Sequence, residues 1–120
     1  SNPMSYNIDS VDYVSGKLTI KRRDAQAFAE DNENEMAEGN FLDALKLSVK
    51  LDPEEMLEIK KPWWYGEHSG NSFDKFKEAL ALTKGTAQLL LVWEGGDSQT
   101  GLLVKDGKVT EKKVKTTLED

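Results

Sequence analysis

Residues 86–96 read TAQLLLVWEGG, with five consecutive apolar residues at 89–93. Its apolar run is too continuous for a strand with one face in water. It is also too short for a helix, because glycines follow at positions 95 and 96. The stretch therefore predicts a central strand over residues 86–94 that is covered on both faces, with the rest of a sheet formed around it.

The most specific turn signal in the chain follows this strand. Asp106-Gly107 separates GLLVK (101–105) from KVTEKKVK (108–115), and this dipeptide between two alternating segments predicts a β-hairpin. The second arm is rich in lysine, which is typical of an edge strand protected against aggregation. No aromatic residue lies between these lysines to stack on a base, so the arm gives little support for nucleic-acid binding.

Helix signals lie upstream of the central strand. Phe73, Phe76 and Leu80 recur at helical spacing, with Asn71 or Ser72 as the cap and Gly85 as the stop, so a helix is predicted there. A second, short helix is predicted over DPEEMLEIKK (52–61), which begins with a cap, a proline and a glutamate three residues after the cap.

The first forty residues predict a hairpin followed by a helix. Alternating apolar residues on both sides of Ser15-Gly16 indicate two paired strands, and Asp24 can cap a helix that weakens after Asp31. The segment 45–51 alternates strictly between apolar and polar residues but fits a helix nearly as well, so both interpretations stay open.

Together these elements predict an α+β fold. We expect a single domain over residues 4–120, with a mainly antiparallel sheet of five or six strands and two or three helices packed on it. A chain of 120 residues can bury a core without staples. Residues 1–3, ahead of Met4, resemble a remnant of expression cloning.

Composition excludes several classes of site. The chain has no cysteine and one histidine, which excludes disulfides, thiolate metal sites and cysteine nucleophiles. The acidic window 31–42 departs from a calcium loop at Met36, where the loop needs a glycine, and at Leu42, where it needs a glutamate. We therefore predict no metal and no cofactor. The lack of cysteine, of a leader and of a membrane-spanning segment predicts a cytoplasmic protein that does not bind membranes.

Charge is unevenly distributed along the sequence. The net charge of −6 argues against nonspecific nucleic-acid binding, which depends on lysine and arginine. Residues 24–38 contain six acidic and no basic residues. Such a surface would steer the protein toward a basic partner.

The segment KKPWWYGEHSG (60–70) is the candidate binding loop, called the aromatic loop below. It contains two of the chain's three tryptophans, a tyrosine and the only histidine. Successive side chains of an extended segment point to opposite sides, so at least one of the three rings is expected to be exposed. An exposed tryptophan or tyrosine suits a protein interface. The alternative is that these rings close one end of the core.

Two functions follow from these patterns. The preferred one is a non-catalytic protein-interaction module, such as an inhibitor, an immunity-type protein or an adaptor. Its predicted partner-binding residues are Trp63, Trp64, Tyr65, Glu67, His68, Glu30, Asp31, Glu33 and Glu35. The alternative is a small-molecule-binding or catalytic domain with a pocket near residues 62–71. In that case Trp63 or Trp64 would form a wall near Trp93, while Glu67, His68 and Glu94 would supply polar groups.

Overall fold

The computed structural model describes residues 8–31, 52–62, 72–93 and 98–114. These ranges contain seven strands and two helices. In chain order they are β1 (Ile8–Gly16), β2 (Leu18–Lys21), α1 (Arg22–Asp31), β3 (Met56–Ile59), α2 (Ser72–Leu80), β4 (Thr83–Lys84), β5 (Thr86–Trp93), β6 (Gln99–Lys105) and β7 (Lys108–Lys112).

The strands form two antiparallel sheets. The large sheet has the order β1-β5-β6-β7 and the small sheet has the order β3-β2-β4. One cluster of buried apolar residues joins both sheets and both helices. The predicted α+β class with antiparallel pairing is confirmed, but the strands are divided between two sheets where the sequence predicted one. The domain limits of 4 and 120 stay a prediction.

Strand β5 is central in the large sheet, as predicted, but only one of its faces is buried. Ala87, Leu89 and Leu91 point into the core, whereas Leu90 and Val92 on the opposite face are part-buried. The prediction that both faces are covered is therefore wrong. The apolar run is continuous because this strand also carries leucine and valine on the face that lies away from the core.

The hairpin at Asp106-Gly107 is confirmed. Lys105 pairs with Lys108, and both turn residues have positive φ (44° and 85°), as a two-residue type I′ turn requires. The turn is also fixed to the chain between β4 and β5. The Asp106 N–H donates to the Gly85 carbonyl, and the Gly85 N–H donates to Asp106 Oδ1, each at 2.9 Å. Strand β7 is the edge strand that its lysines predicted.

The predicted hairpin between the first two strands is wrong. Both strands form, but β1 pairs with β5 while β2 pairs with β3 and β4. Gly16 has φ 77°, and its backbone lies so close to β5 that a Cβ would overlap the Thr86 carbonyl oxygen. The glycine therefore lets the chain pass close over β5 and enter the second sheet, instead of making a tight turn.

Tyr13 connects the two sheets at this crossing. Its hydroxyl donates to the Ile59 carbonyl at 2.6 Å and accepts from the Leu18 N–H at 3.3 Å. Leu18 and Ile59 are paired residues of β2 and β3. A side chain of the large sheet thus completes the hydrogen bonding at one end of the small sheet.

Helix α1 begins two residues before the predicted cap. It starts at Arg22, so Asp24 lies within the first turn. The N–H groups of Arg22 and Arg23 donate to the carbonyls of Glu55 and Pro53, at 2.8 and 2.9 Å, so backbone acceptors take the place of a side-chain cap. The ambiguous segment 45–51 lies outside the described residues.

The helix predicted over residues 52–61 is wrong. The cap signal produces only a turn, in which the Glu54 N–H donates to Asp52 Oδ1 and the Glu55 N–H donates to the Asp52 carbonyl. The chain then enters β3, where Leu57 is part-buried and Ile59 is buried opposite β2. Strand pairing outweighs the local helix signal, because the segment alternates in burial once it is paired.

Helix α2 is confirmed, although it ends at Leu80, five residues before the predicted stop at Gly85. Phe76, Ala79 and Leu80 form its buried face. Buried Thr83 donates its Oγ1 hydroxyl to the Leu80 carbonyl at 2.7 Å and closes the last turn. The chain then makes the two-residue strand β4 where the helix was predicted to continue.

Candidate functional site

The third tryptophan of the chain lies at the end of the central strand β5. Its ring meets Phe73 of α2 edge-on, with ring centroids 5.3 Å apart and an interplanar angle of 86°. This T-shaped arrangement is one that aromatic pairs prefer. The Trp93 Nε1–H donates to Thr100 Oγ1 on β6 at 2.8 Å, so the indole is held from two sides.

Local backbone structure positions this tryptophan. Trp93 pairs with Ile8 of β1. Its N–H donates to the Ser98 carbonyl at 3.0 Å, just before the chain returns as β6. Phe73 lies in the first turn of α2, whose buried face fixes the helix on the inner side of the large sheet. The two rings therefore meet because two rigid elements meet there.

A lysine extends this contact toward solvent. Lys77 Nζ lies 4.4 Å from the centroid of the Phe73 ring, a cation–π distance. The same nitrogen is 3.1 Å from Glu111 Oε2 on β7 and 3.8 Å from Asp74 Oδ1. We call Phe73, Lys77, Trp93, Thr100 and Glu111 the Trp93 cluster. It joins α2 to three strands of the large sheet, with both rings part-buried.

The Trp93 cluster lies where the aromatic loop ends. Pro62, just before the loop tryptophans, is buried after β3. Ser72 begins α2, and Phe73 follows it. The described structure thus fixes both ends of the loop, one beside the small sheet and the other at Trp93.

Most of the predicted site residues lie outside the described ranges. Trp63, Trp64, Tyr65, Glu67 and His68 of the loop do so, as do Glu33, Glu35 and Glu94. Glu30 and Asp31 are the last two residues of α1, and only their backbone is described. That the acidic segment and the aromatic loop together bind a partner therefore stays a prediction.

Sequence reasoning did not assign a site role to Phe73, Lys77 or Glu111. Phe73 belongs to the apolar stripe of α2, and the two charged residues look like ordinary surface positions. Of the cluster, only Trp93 was singled out, because it ends the central strand. Contacts between a helix and strands twenty or more residues away leave no local signal for the other residues.

One titratable group is shifted for a clear physical reason. Burial raises the pKa of the Tyr13 hydroxyl above its ordinary value of 10.0; the hydrogen bond from Leu18 lowers the pKa and the negative charge of Glu58 raises it. The neutral hydroxyl donates to Ile59, so its place at the junction between the sheets indicates a structural role.

The described ranges contain no group of three or more histidine, cysteine, aspartate or glutamate side chains placed to hold a metal. Nor does either described helix have the length and apolar character to cross a membrane. Acidic and basic residues balance within these ranges, so the excess of 6 negative charges belongs to the remaining sequence.

No model of a protein family matches the chain, and no curated protein or solved structure shows a significant match to it.

Proposed function

We propose that this protein is a non-catalytic interaction module that binds a partner protein through the aromatic loop and an acidic surface. It would act as an inhibitor, an immunity-type protein or an adaptor, and we expect its partner to carry a basic surface. One observation carries the proposal: the loop with two tryptophans leads directly into the Phe73–Trp93 pair.

The geometry of this pair supports a role as a rigid platform for the loop. Trp93 is held by a hydrogen bond to Thr100 and by the edge-on ring of Phe73, yet both rings remain part-buried. Aromatic side chains that are already ordered lose little entropy on binding, and tryptophan and tyrosine often dominate interface energies. Trp63, Trp64 and Tyr65 would supply the anchors.

The charge distribution supports the choice of a basic partner. Since the described ranges are balanced in charge, the negative excess lies in segments that include Glu33, Glu35 and Glu67. A local negative field accelerates encounter with a positive surface and is screened by salt. This supports steering of the partner more than it supports tight binding.

The test of the loop is an affinity capture from source-cell lysate, read by mass spectrometry. The baits are the wild type, the loop variant Trp63→Ala/Trp64→Ala, and the control Val14→Ala/Met56→Ala. The control shortens two exposed apolar side chains outside the loop, on β1 and β3. We expect a partner that the wild type and the control retain and the loop variant loses. Equal recovery by all three folded baits would count against the loop.

The test of steering uses the captured partner and measures its association rate at several salt concentrations. Neutralising Glu30, Glu33 and Glu35 with glutamine should lower the rate and flatten its dependence on salt. The matched control neutralises Asp9, Glu58 and Glu78, three exposed acidic residues elsewhere, and should leave the rate nearly unchanged. A rate that does not depend on salt would remove the acidic surface from the proposal.

The alternative function is a small-molecule-binding or catalytic domain with its pocket near residues 62–71. The position of Trp93 at the end of this loop favours it, because that ring would form one wall. An NMR titration of His68 and a metabolite screen read by tryptophan fluorescence would test it. A free-imidazole titration and no fluorescence change would leave the interaction module as the better proposal.

A further inference from the structure

The face of the large sheet that points away from the core is only partly buried in the described ranges. We call it the outer face. None of its described residues is buried, and its centre consists of Leu90, Val92 and Leu103. The solvated face of an antiparallel sheet usually carries polar residues, so a partly exposed centre of leucine and valine favours a contact surface.

The residues across the middle of this face are arranged in a specific order. The strand register aligns Asp12 of β1, Leu90 of β5, Gly101 of β6 and Lys112 of β7 in one row. Asp12 and Lys112 are exposed at opposite ends of the row. A Cβ on Gly101 would lie 3.2 Å from the Lys112 carbonyl oxygen, 3.6 Å from Lys112 Cβ and 3.7 Å from Val114 Cγ2, so β7 and Val114 crowd this position and glycine is the small residue beside Leu90.

We propose that the outer face binds the same face of a second copy of this chain. The row is complementary to its own reverse. With a two-fold axis along the strands, between β5 and β6, Asp12 of each copy faces Lys112 of the other, and Leu90 faces Gly101. Opposite charges and a large residue opposite a small one both repeat twice, as a symmetric dimer requires.

The neighbouring rows and the size of the face set the strength of this contact. Leu103 and Gln88 are paired across β5 and β6, as are Val92 and Gln99, so each reversed row places an apolar side chain opposite a glutamine. The apolar centre is therefore small. With strands about 4.8 Å apart, the face is about 20 Å wide, which favours weak, concentration-dependent dimers.

The test is sedimentation velocity of the full chain from about 10 μM to 1 mM, a range that covers weak dimers. Wild type should dimerise at the upper end. Asp12→Lys and Lys112→Asp each create two like-charge pairs and should weaken dimerisation about tenfold or more. An equimolar mixture of the two variants restores both opposite-charge pairs and should dimerise at least as well as wild type.

Matched controls separate this contact from general charge effects. Glu78→Lys on α2 and Lys84→Asp on β4 make the same charge changes at exposed positions off the outer face and should leave dimerisation unchanged. Circular dichroism melting checks that each variant is folded.

Three results would overturn the proposal. These are a wild type that stays monomeric at 1 mM, a dimer insensitive to both charge variants, or two variants that remain monomeric when mixed. If the protein is monomeric and NMR spectra show contacts between the Leu90 methyl groups and another segment of the same chain, that segment covers the outer face instead.

Discussion

The large and small sheets are stabilised in different ways. The large sheet has strands of five to nine residues, and its inner side chains form much of the apolar core. The small sheet has strands of two to four residues, and polar contacts of Tyr13 and Arg22 complete it. Both sheets bury apolar side chains, including Leu18, Ile20 and Ile59 of the small sheet, but the short strands make fewer ladder hydrogen bonds, so the small sheet depends more on these polar contacts.

The largest effect should come from the core of the large sheet. Leu102 is 1% exposed, and Leu102→Ala should lower the free energy of unfolding by about 2–5 kcal/mol. The neighbouring Leu103→Ala makes the same chemical change on the outer face and should cost about 1 kcal/mol or less. Urea unfolding at low protein concentration measures both, and equal costs would contradict the one-sided core.

The next effect concerns the buried cation beside the small sheet. Arg22 is 5% exposed, its Nη2 donates to Glu55 Oε1 at 2.7 Å, and its Nε has no partner among the described residues. Glu55→Gln leaves this buried charge without its carboxylate. Because the Glu55 side chain is 47% exposed, we expect a moderate loss of about 1–2 kcal/mol rather than the full cost of a buried pair.

A double-mutant cycle sharpens this prediction. Arg22→Met keeps most of the volume and removes the charge, so it should cost little. In that background Glu55→Gln should have almost no further effect. Additive costs would show that Glu55 acts through the backbone turn, where its carbonyl accepts from the Arg22 N–H, and not through the ion pair.

The contact between the β6–β7 turn and Gly85 should have an effect of similar size. Asp106→Ala removes the acceptor for the Gly85 N–H and places alanine at positive φ, which should cost about 1–2 kcal/mol. Asp106→Asn keeps an acceptor and tolerates the left-handed conformation, so it should cost much less. Thermal unfolding of the two variants distinguishes them. A similar loss of stability for both would exclude a role for the hydrogen bond from the Gly85 N–H to the residue 106 side chain.

The smallest effect should come from Tyr13. Tyr13→Phe removes the hydroxyl that bridges the Leu18 N–H and the Ile59 carbonyl, and should cost about 1 kcal/mol near neutral pH. Faster amide exchange in β2 and β3 than in β5 would locate this loss in the small sheet. Uniform acceleration across both sheets would mean that they open together.

The pH dependence of this contribution has a definite sign. The folded pKa of Tyr13 is raised above 10.0, so the folded state keeps the phenolic proton after the unfolded chain has lost it. The hydroxyl's contribution is fully present below about pH 10 and is lost as pH rises from there through the folded pKa. The stability difference between wild type and Tyr13→Phe should therefore shrink in alkali, as urea midpoints measured above and below pH 10 would show.

The sequence predicted best those elements whose signals and partners are local. The β6–β7 hairpin follows from Asp106-Gly107, and α2 follows from its apolar stripe. The errors concern segments with distant partners. Gly16 looked like a turn, yet β1 pairs with a strand more than seventy residues away. The cap at Asp52 formed its turn, but pairing with β2 then made a strand of the segment predicted as helix.

The candidate site was predictable only in part. Trp93 stood out at the end of the central strand, and the loop stood out by composition. The contact of Phe73 with Trp93 joins residues twenty positions apart on different elements, and neither hydrophobic periodicity nor capping signals contain such pairings. The residues expected to bind a partner stay predictions until the loop variants are tested.

The order in which strands appear during synthesis has a consequence for folding. Among the described strands β1 is made before the others, but its neighbour in the large sheet is β5, and Ile8 pairs with Trp93. While the ribosome makes the intervening chain, β1 has no partner in the large sheet. Strands β5, β6 and β7, by contrast, are joined by short connections and can pair as soon as they emerge. Closing the long loop to β1 is the slow, entropically costly step, so we expect this strand to dock last and to depend most on protection from aggregation in the cell.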